Sequence, residues 1–246
     1  MGCTSTKQES VDSRPIMVRY TEQKLNMPFS SDTENSFEKE IFFAINLLRN
    51  NPRSFIPHVQ RVHQKNLCKG SKSMGAIIQK LKNMVKVTTV KFEDKANTAV
   101  RQNNAAICGR EEDSPPEDAG NLAKLNEITG QEPTGAEATF YNYGGSSAEE
   151  FVALLLYKDF DKFEAMTKKP EAGEGETGIE SPLLNNRTKE VGISNKAHSK
   201  CLNSIQIIYI YSLVNNLNAG GAAPEGEPVA HGMEWVDVFL VNETHS

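Results

Sequence analysis

Hydrophobic positions recur at helical spacing in the first half of the chain. The first such stretch begins at Phe37, continues through Ile41, Ile45 and Leu48, and is stopped by Pro52. It predicts the opening helix of a folded domain. Weaker patterns of the same period predict three more helices, at residues 53–63, 73–84 and 92–108.

A helix-capping sequence and then strand-like patterns follow. Ser147 and Glu150 form a capping box, which predicts the start of a helix rich in Phe, Val and Leu. Residues 191–193 and the Ile- and Tyr-rich run 204–214 predict adjacent strands, and residues 235–241 alternate like a closing strand. Helices followed by strands predict an α+β fold, an α-β-α sandwich with a central mixed or antiparallel sheet flanked by helices.

Stretches without a clear period separate or extend these elements. Residues 109–146, rich in Gly, Pro and acids, predict a long structured loop or an insertion, and residues 168–181 predict a surface loop. The predicted organisation is a polar N-terminal tether at 1–35, free or laid over the domain surface, then a domain at 36–216. A Gly/Pro linker with a C-terminal strand or tail occupies residues 217–246.

Composition mainly excludes certain kinds of partner and site. The chain has 246 residues, of which 32 are acidic and 27 basic, so no strongly basic field points to nucleic acid as a partner. No apolar run approaches the roughly 18–20 residues that span a bilayer. No cofactor or metal is predicted. The four cysteines are Cys3, Cys68, Cys108 and Cys201. They are far apart and lack zinc-ligand spacing, which predicts free thiols in a reducing compartment.

The first residues carry a lipidation pattern. Gly2 follows the initial Met, and Thr6 occupies the position where N-myristoylation favours Ser or Thr. One myristoyl chain gives a membrane association constant on the order of 10⁴ M⁻¹, so stable residence needs a second anchor. Cys3 beside Gly2 supplies a palmitoylation site. The sequence therefore predicts lipid anchoring to the cytoplasmic face of a membrane; the alternative is a coincidental Met-Gly start.

Several segments resemble the CAP superfamily (cysteine-rich secretory, antigen 5 and pathogenesis-related proteins). Residues 46–52, Asn-Leu-Leu-Arg-Asn-Asn-Pro, are similar to the family's N-x-x-R helix that leads to a proline. Residues 90–97 resemble the start of its second major helix. Residues 143–150 resemble the segment after its G-E-N motif. The longest match, residues 181–193, is similar to the family's stretch H-R-x-N-L-L-x-P-x-F-x-x-V-G-I.

The resemblance covers about residues 37–215, since His198 and the strand after it fall where the family has its G-H-Y-T-Q strand. Within the superfamily the chain most resembles the myristoylated, Golgi-associated plant-pathogenesis-related type. The resemblance implies an α-β-α sandwich and a cleft that, in many CAP proteins, holds two histidines and two acids for metal binding or acid-base chemistry.

The chain departs from the family's cleft residues at nearly every position. No histidine lies between His63 and His198, and Glu180-Ser181 replaces the family's His-Arg pair. One imidazole and an uncertain carboxylate are too few ligands for a transition metal. The chain is therefore predicted not to be an enzyme.

Three residues are the remnant candidates for this cleft. The Glu of the G-E-N motif falls near Thr139, where Glu137 is the closest carboxylate, and the acid on the following helix falls near Lys158 or Asp159. The candidates that the resemblance implies are His198, Asp159 and Glu137.

The remaining histidines and cysteines are predicted to be structural. His58 and His63 are five positions apart on a predicted helix, not the four that would direct both to one metal, which predicts exposed or capping roles. Cys108 and Cys201 lie in apolar contexts and are predicted to be inert core thiols.

The leading hypothesis is a non-catalytic, membrane-tethered CAP-domain protein that acts as a binding or scaffold module. Its expected partner is a sterol or other lipid, a second copy of the chain, or another protein. One alternative is a structural component of a ciliary or cytoskeletal assembly, with the cilium as its location. A second is a metal-dependent hydrolase that uses His198.

Overall fold

The chain forms helices on both sides of one small sheet. A computed structural model describes residues 11–108, 120–141, 147–167, 181–196 and 204–211, except for the side chains of residues 163–167. In chain order the elements are α1 (Ile16–Glu22), α2 (Ser36–Asn50), a 3₁₀ turn (Pro52–Phe55), α3 (Ile56–Gln64), α4 (Met74–Asn83), β1 (Lys91–Phe92), α5 (Asp94–Cys108), α6 (Asn121–Thr129), β2 (Gly135–Tyr141), α7 (Ala148–Thr167), β3 (Thr188–Lys196) and β4 (Ser204–Tyr211).

The predicted α+β class with a central sheet is confirmed. The sheet is mixed and has the strand order β1-β3-β4-β2, with β1 parallel to β3 and the other two pairs antiparallel. The helix predicted at 53–63 is divided in the structure. Its first residues belong to a 3₁₀ turn that begins at Pro52, and the α-helix α3 begins at Ile56. The helix predicted at 92–108 begins only at Asp94, because Phe92 pairs with Val191 in the sheet.

The prediction of a loop or insertion at residues 109–146 is wrong where the structure describes it, because α6 and β2 lie there. Helix α6 is short and buries chiefly Leu125, and Gly130 ends it in a left-handed conformation. Strand β2 is rich in Gly and Ala and is specified by its pairing with β4. At Gly135 a Cβ atom would lie 2.2 Å from the carbonyl oxygen of Tyr209.

Strand β4 is buried on both faces, which produces the three-layer sandwich. Its odd-numbered residues from Ile205 to Tyr209 pack into a large core that also contains side chains of α2 and α7. Ile208 packs into a smaller core on the opposite face. That smaller core is completed by buried side chains of α5 and α6: Ala96, Ala99, Val100 and Leu125.

The described part of the predicted N-terminal tether, residues 11–35, lies against the domain, and we call it the arm. Tyr20 on α1 is fully buried, and its ring centroid lies 4.2 Å from that of Phe43 on α2. Near the other end of the arm, Arg101 Nη2 on α5 donates a hydrogen bond of 2.7 Å to the carbonyl oxygen of Asp32. The arm is thus fixed at two places, on opposite sides of the sheet.

Two polar side chains of α2 connect it to distant segments. Asn46 makes hydrogen bonds to both the backbone nitrogen and the carbonyl oxygen of Val90, at 2.8 and 3.2 Å. Arg49 is fully buried, and its guanidinium donates to backbone carbonyl oxygens. Those acceptors are in Thr88, Leu183, Asn185 and Thr188.

Some predictions lie outside the described residues. These are the lipidation pattern at Gly2 and Cys3, the histidine His198, the thiol of Cys201, and everything predicted for residues 212–246. Within the described residues, Cys68 is a free thiol as predicted, and Cys108 is half-buried, so the prediction of a core position for it is wrong. No helix in that part of the chain combines the length and apolarity needed to span a bilayer.

Candidate functional site

The remnant cleft candidates do not come together in the structure. Asp159 lies on α7, on the side of the sheet that carries the large core, and accepts a 2.5 Å hydrogen bond from Ser181 Oγ. Glu137 lies on β2 opposite Ile208, which faces the small core. The sheet therefore separates these two carboxylates, and His198 is outside the described residues.

Each remnant carboxylate has a local structural partner. Glu137 Oε2 accepts a 2.9 Å hydrogen bond from the backbone nitrogen of Leu122 in the first turn of α6. Burial raises the pKa of Asp159 to about 6, and the hydrogen bond from Ser181 opposes that rise. Lys158 Nζ donates to the carbonyl oxygen of Thr139 at 2.9 Å.

Metal chemistry gains no support from the geometry. Among the described residues, no group of three His, Cys, Asp or Glu side chains is arranged to hold a metal ion. Tight transition-metal sites need three or four such ligands.

A pocket of about 570 Å³ lies between the arm and helices α2, α3 and α7. This volume is in the range of small-molecule sites. We call it the arm pocket, because residues 11–17 and Arg19 form one wall of it. The opposite walls come from α2, α3 and the start of α7: Ser36, Lys39, Glu40, Phe43, His58, Arg61, Ser147 and Glu149.

His58 is one of two buried polar residues among those that line the arm pocket, together with Glu149. The His58 side chain is 3% exposed, and its Nδ1 atom has no hydrogen-bond partner. Burial lowers the pKa of His58, and the charge of Glu149 opposes this effect. The prediction of an exposed or capping role for His58 is wrong, because this residue lies on the inner face of α3 with Val59 and Val62.

Two buried acids lie at the start of α7, and one of them, Glu149, lines the arm pocket. Glu149 forms an ion pair with Arg19 of the arm, and both side chains are at most 12% exposed. Glu150 is 1% exposed and accepts a 2.6 Å hydrogen bond from Lys65 Nζ. Both acids lie where the positive end of the helix dipole stabilises negative charge. The predicted cap at Ser147 is present, since its Oγ accepts from the backbone nitrogen of Glu150 at 3.2 Å.

Sequence reasoning missed this pocket, and the nearest signal was a pair of acids of which only Glu149 lines it. The adjacent acids Glu149 and Glu150 follow a capping residue directly, and acids at that position are ordinarily explained by the helix alone. Their basic partners, Arg19 and Lys65, are 130 and 85 positions earlier in the chain. Only the fold brings these partners together.

The lining of the arm pocket suits a ligand with both polar and apolar parts. It combines basic and acidic side chains with the apolar groups of Ile16, Met17 and Phe43.

The fold and pocket define a class of protein, an α+β domain whose N-terminal arm closes a pocket of mixed charge. No family model, curated protein or solved structure matches the chain. The functional argument therefore rests on the residues themselves.

Proposed function

We propose that this protein is a non-catalytic, CAP-type binding or scaffold module, held on the cytoplasmic face of a membrane by acyl chains on Gly2 and Cys3. The observation that carries the proposal is the lipidation pattern, with Gly2 as the myristoyl acceptor, Thr6 at the favoured position and Cys3 beside it. Two acyl chains give the stable residence that one chain does not.

The CAP-type assignment is supported by the way the resembling segments meet. Arg49 of the N-x-x-R sequence donates to carbonyl oxygens of Leu183 and Asn185, within the segment 181–193 of the longest match. Asn46 bonds to Val90, at the start of the segment that resembles the family's second major helix. One helix thus binds two of the quoted segments through buried polar bonds.

The arm pocket supports the choice of a ligand for this module. Its charged groups of both signs, such as Lys39, Glu40 and Arg61, favour a polar lipid headgroup or a peptide over a sterol. Burying an uncharged sterol against these groups would desolvate them without new hydrogen bonds.

Membrane fractionation of the wild type beside Gly2→Ala and Cys3→Ser tests the proposal. Feeding cells a labelled myristate analogue reports whether Gly2 is acylated. We expect the wild type to pellet with membranes and to be released by detergent, Gly2→Ala to be soluble and unlabelled, and Cys3→Ser to be labelled but only weakly retained.

Two outcomes contradict the proposal. Equal distribution of all three proteins would make the lipidation pattern coincidental. A wild type that stays pelleted in detergent, together with Gly2→Ala, would favour a structural component of a large assembly instead.

A further inference from the structure

Exposed apolar side chains are concentrated on the arm. Among the residues that the structure describes, five large hydrophobic side chains are strongly exposed, and four of them lie between positions 17 and 29. Single exposed hydrophobic residues are normal on a protein surface, whereas a concentration within one short segment indicates an interaction site. The four are Met17, Val18, Met27 and Phe29, with exposures of 52, 43, 44 and 79%, and we call them the apolar arm set.

The arm presents these side chains from a fixed backbone. Between the two halves of the set, Asn50 Nδ2 on α2 donates to Gln23 Oε1 at 2.7 Å. The Tyr20 hydroxyl donates to the carbonyl oxygen of Asn26 at 2.7 Å. These two bonds hold the backbone of the arm in place while the four side chains of the apolar arm set stay exposed. Exposed apolar area of this kind is favourably removed from water by contact with an apolar environment.

We propose that the apolar arm set inserts into the lipid bilayer beside the acyl chains and fixes the orientation of the domain on the membrane. This inference rests on the proposed lipid anchor. Val11 follows Gly2 by nine positions, and an extended chain of that length reaches roughly 30 Å. The arm is thus the first described segment after the acylated residues, and the membrane surface lies within its reach.

The charges of the arm permit this contact. Residues 11–29 contain three basic side chains, Arg14, Arg19 and Lys24, and two acidic ones, Asp12 and Glu22. Arg14 is paired with both acids in the described structure. Asp32 and Glu34 near the end of the arm bring residues 11–35 to a net charge of −1, so zwitterionic headgroups suit this contact better than anionic ones.

The free energy gained by inserting these side chains is large enough to matter beside a single myristoyl chain. Burying a large apolar side chain is worth roughly a tenfold change in affinity or more. A single myristoyl chain alone binds reversibly. For a chain that carries the myristoyl group alone, before palmitoylation of Cys3, insertion of Phe29 and Met17 would therefore prolong residence on the membrane.

The first experiment uses flotation of the myristoylated full chain with phosphatidylcholine vesicles. We expect Met17→Ser combined with Phe29→Ser to reduce bound protein at least about tenfold. Val85→Ser is the matched control, because Val85 is also 79% exposed but lies outside the arm, and it should bind like the wild type. All substituted positions are exposed, so unfolding midpoints should stay equal.

The second experiment locates the contact directly. The chain has one tryptophan, so Phe29→Trp or Val85→Trp in a Trp235→Phe background gives a single fluorophore at a chosen position. With vesicles of brominated lipid, which quench tryptophan only on contact, we expect quenching for Phe29→Trp and none for Val85→Trp.

The outcomes separate this inference from the proposed function. If Gly2→Ala binds vesicles as well as the wild type, the lipid anchor itself is wrong. If the anchor is required but the serine variants bind normally and the fluorophore at position 29 is not quenched, only the insertion is overturned. Loss of self-association on size-exclusion chromatography, with unchanged vesicle binding, would instead make the arm a protein interface.

Discussion

Burial of Asp159 links the stability of the protein to pH. The pKa of this carboxyl group is raised from its ordinary 3.8 to about 6. The folded state therefore binds more protons than the unfolded state between those values, and its stability rises as the pH falls from about 7 toward 4. Asp159→Asn removes the cost of ionisation while leaving an acceptor for Ser181 Oγ.

We expect Asp159→Asn to be more stable than the wild type at pH 8 by about 1–2 kcal/mol, with the difference vanishing near pH 4. Urea unfolding between pH 4 and 8 measures this difference. Glu132→Gln, which removes an exposed acid, serves as the control and should leave the pH profile unchanged. If the free energy of unfolding changed with pH in the same way for the wild type and for Asp159→Asn, folding would not raise the pKa of Asp159.

Burial of His58 has the opposite effect on how the stability of the protein depends on pH. Burial lowers its pKa below the ordinary 6.5, with smaller effects from the charges of Glu149, Arg19, Arg61 and Glu150. Because the folded state disfavours the imidazolium, the stability of the protein falls as the pH drops through 6.5 toward the folded pKa. The unpartnered Nδ1 adds a cost at every pH.

Replacing His58 by Phe should therefore raise the free energy of unfolding by about 1 kcal/mol at pH 7 and by more at pH 5. A phenyl ring preserves the aromatic contact with Phe55, whose ring centroid is 5.3 Å from that of His58. His63→Phe on the exposed side of the same helix is the control, with little expected effect. A destabilised His58→Phe would mean that the imidazole has a polar partner, such as water, in the arm pocket.

At the scale of elements, α5 and β3 approach each other through glycine. A Cβ atom on Gly192 would lie 2.4 Å from the carbonyl carbon and 2.6 Å from the carbonyl oxygen of Ala96. Both of those atoms belong to the backbone, so the helix would have to move away from the sheet. The small residues on this face of α5 thus set the distance between helix and sheet.

We expect Gly192→Ala to lower the free energy of unfolding by about 2–4 kcal/mol. The matched substitution Gly75→Ala lies in α4, where nothing stands within 4 Å of the added atom. It should raise the free energy of unfolding by about 0.5–1 kcal/mol, since Ala favours helix over Gly. Thermal unfolding of Gly192→Ala and Gly75→Ala measures this difference. Equal changes in the unfolding temperature would contradict the close approach of α5 to β3 at Gly192.

The elements differ in how far the sequence could predict them. Helix α2 was predictable because its buried positions recur every three to four residues, and β4 because both of its faces are apolar. Helix α6 and strand β2 were not, because a nine-residue helix and a Gly- and Ala-rich strand depend on tertiary contacts more than on their own pattern.

The arm pocket was beyond reach of the sequence for a related reason. Ion pairs such as Arg19–Glu149 join positions that no local period connects. The burial of His58 depends on which face α3 turns to its neighbours, and the predicted remnant set depended on Glu137 and Asp159 lying on one side of the sheet. Side-chain types were readable from the sequence, whereas the layer to which each belongs was not.

At the scale of the whole molecule, net charge affects the proposed membrane attachment. The chain carries a net charge of −5 at pH 7. Anionic lipids should therefore repel the domain even though the acyl chains hold it.

We expect the myristoylated chain to bind vesicles of pure phosphatidylcholine more tightly than vesicles with added phosphatidylserine. Raising the salt concentration should reduce the difference, because screening weakens the repulsion. Sedimentation with both vesicle types at low and high salt measures this effect. Tighter binding to the anionic vesicles that weakens with salt would instead reveal a basic surface that dominates the encounter.

The position of β4 has a consequence for how the protein is made. This strand is the last described element in the chain, yet it lies between β3 and β2 at the middle of the sheet. About 60 residues separate the end of β2 from the start of β4, so at typical synthesis rates β2 waits roughly 3–13 s for its partner. A nascent chain or a product truncated before residue 204 exposes unpaired strand edges. Such species are natural clients for chaperones and prone to aggregate, so a late stop codon should be as damaging to this protein as an early one.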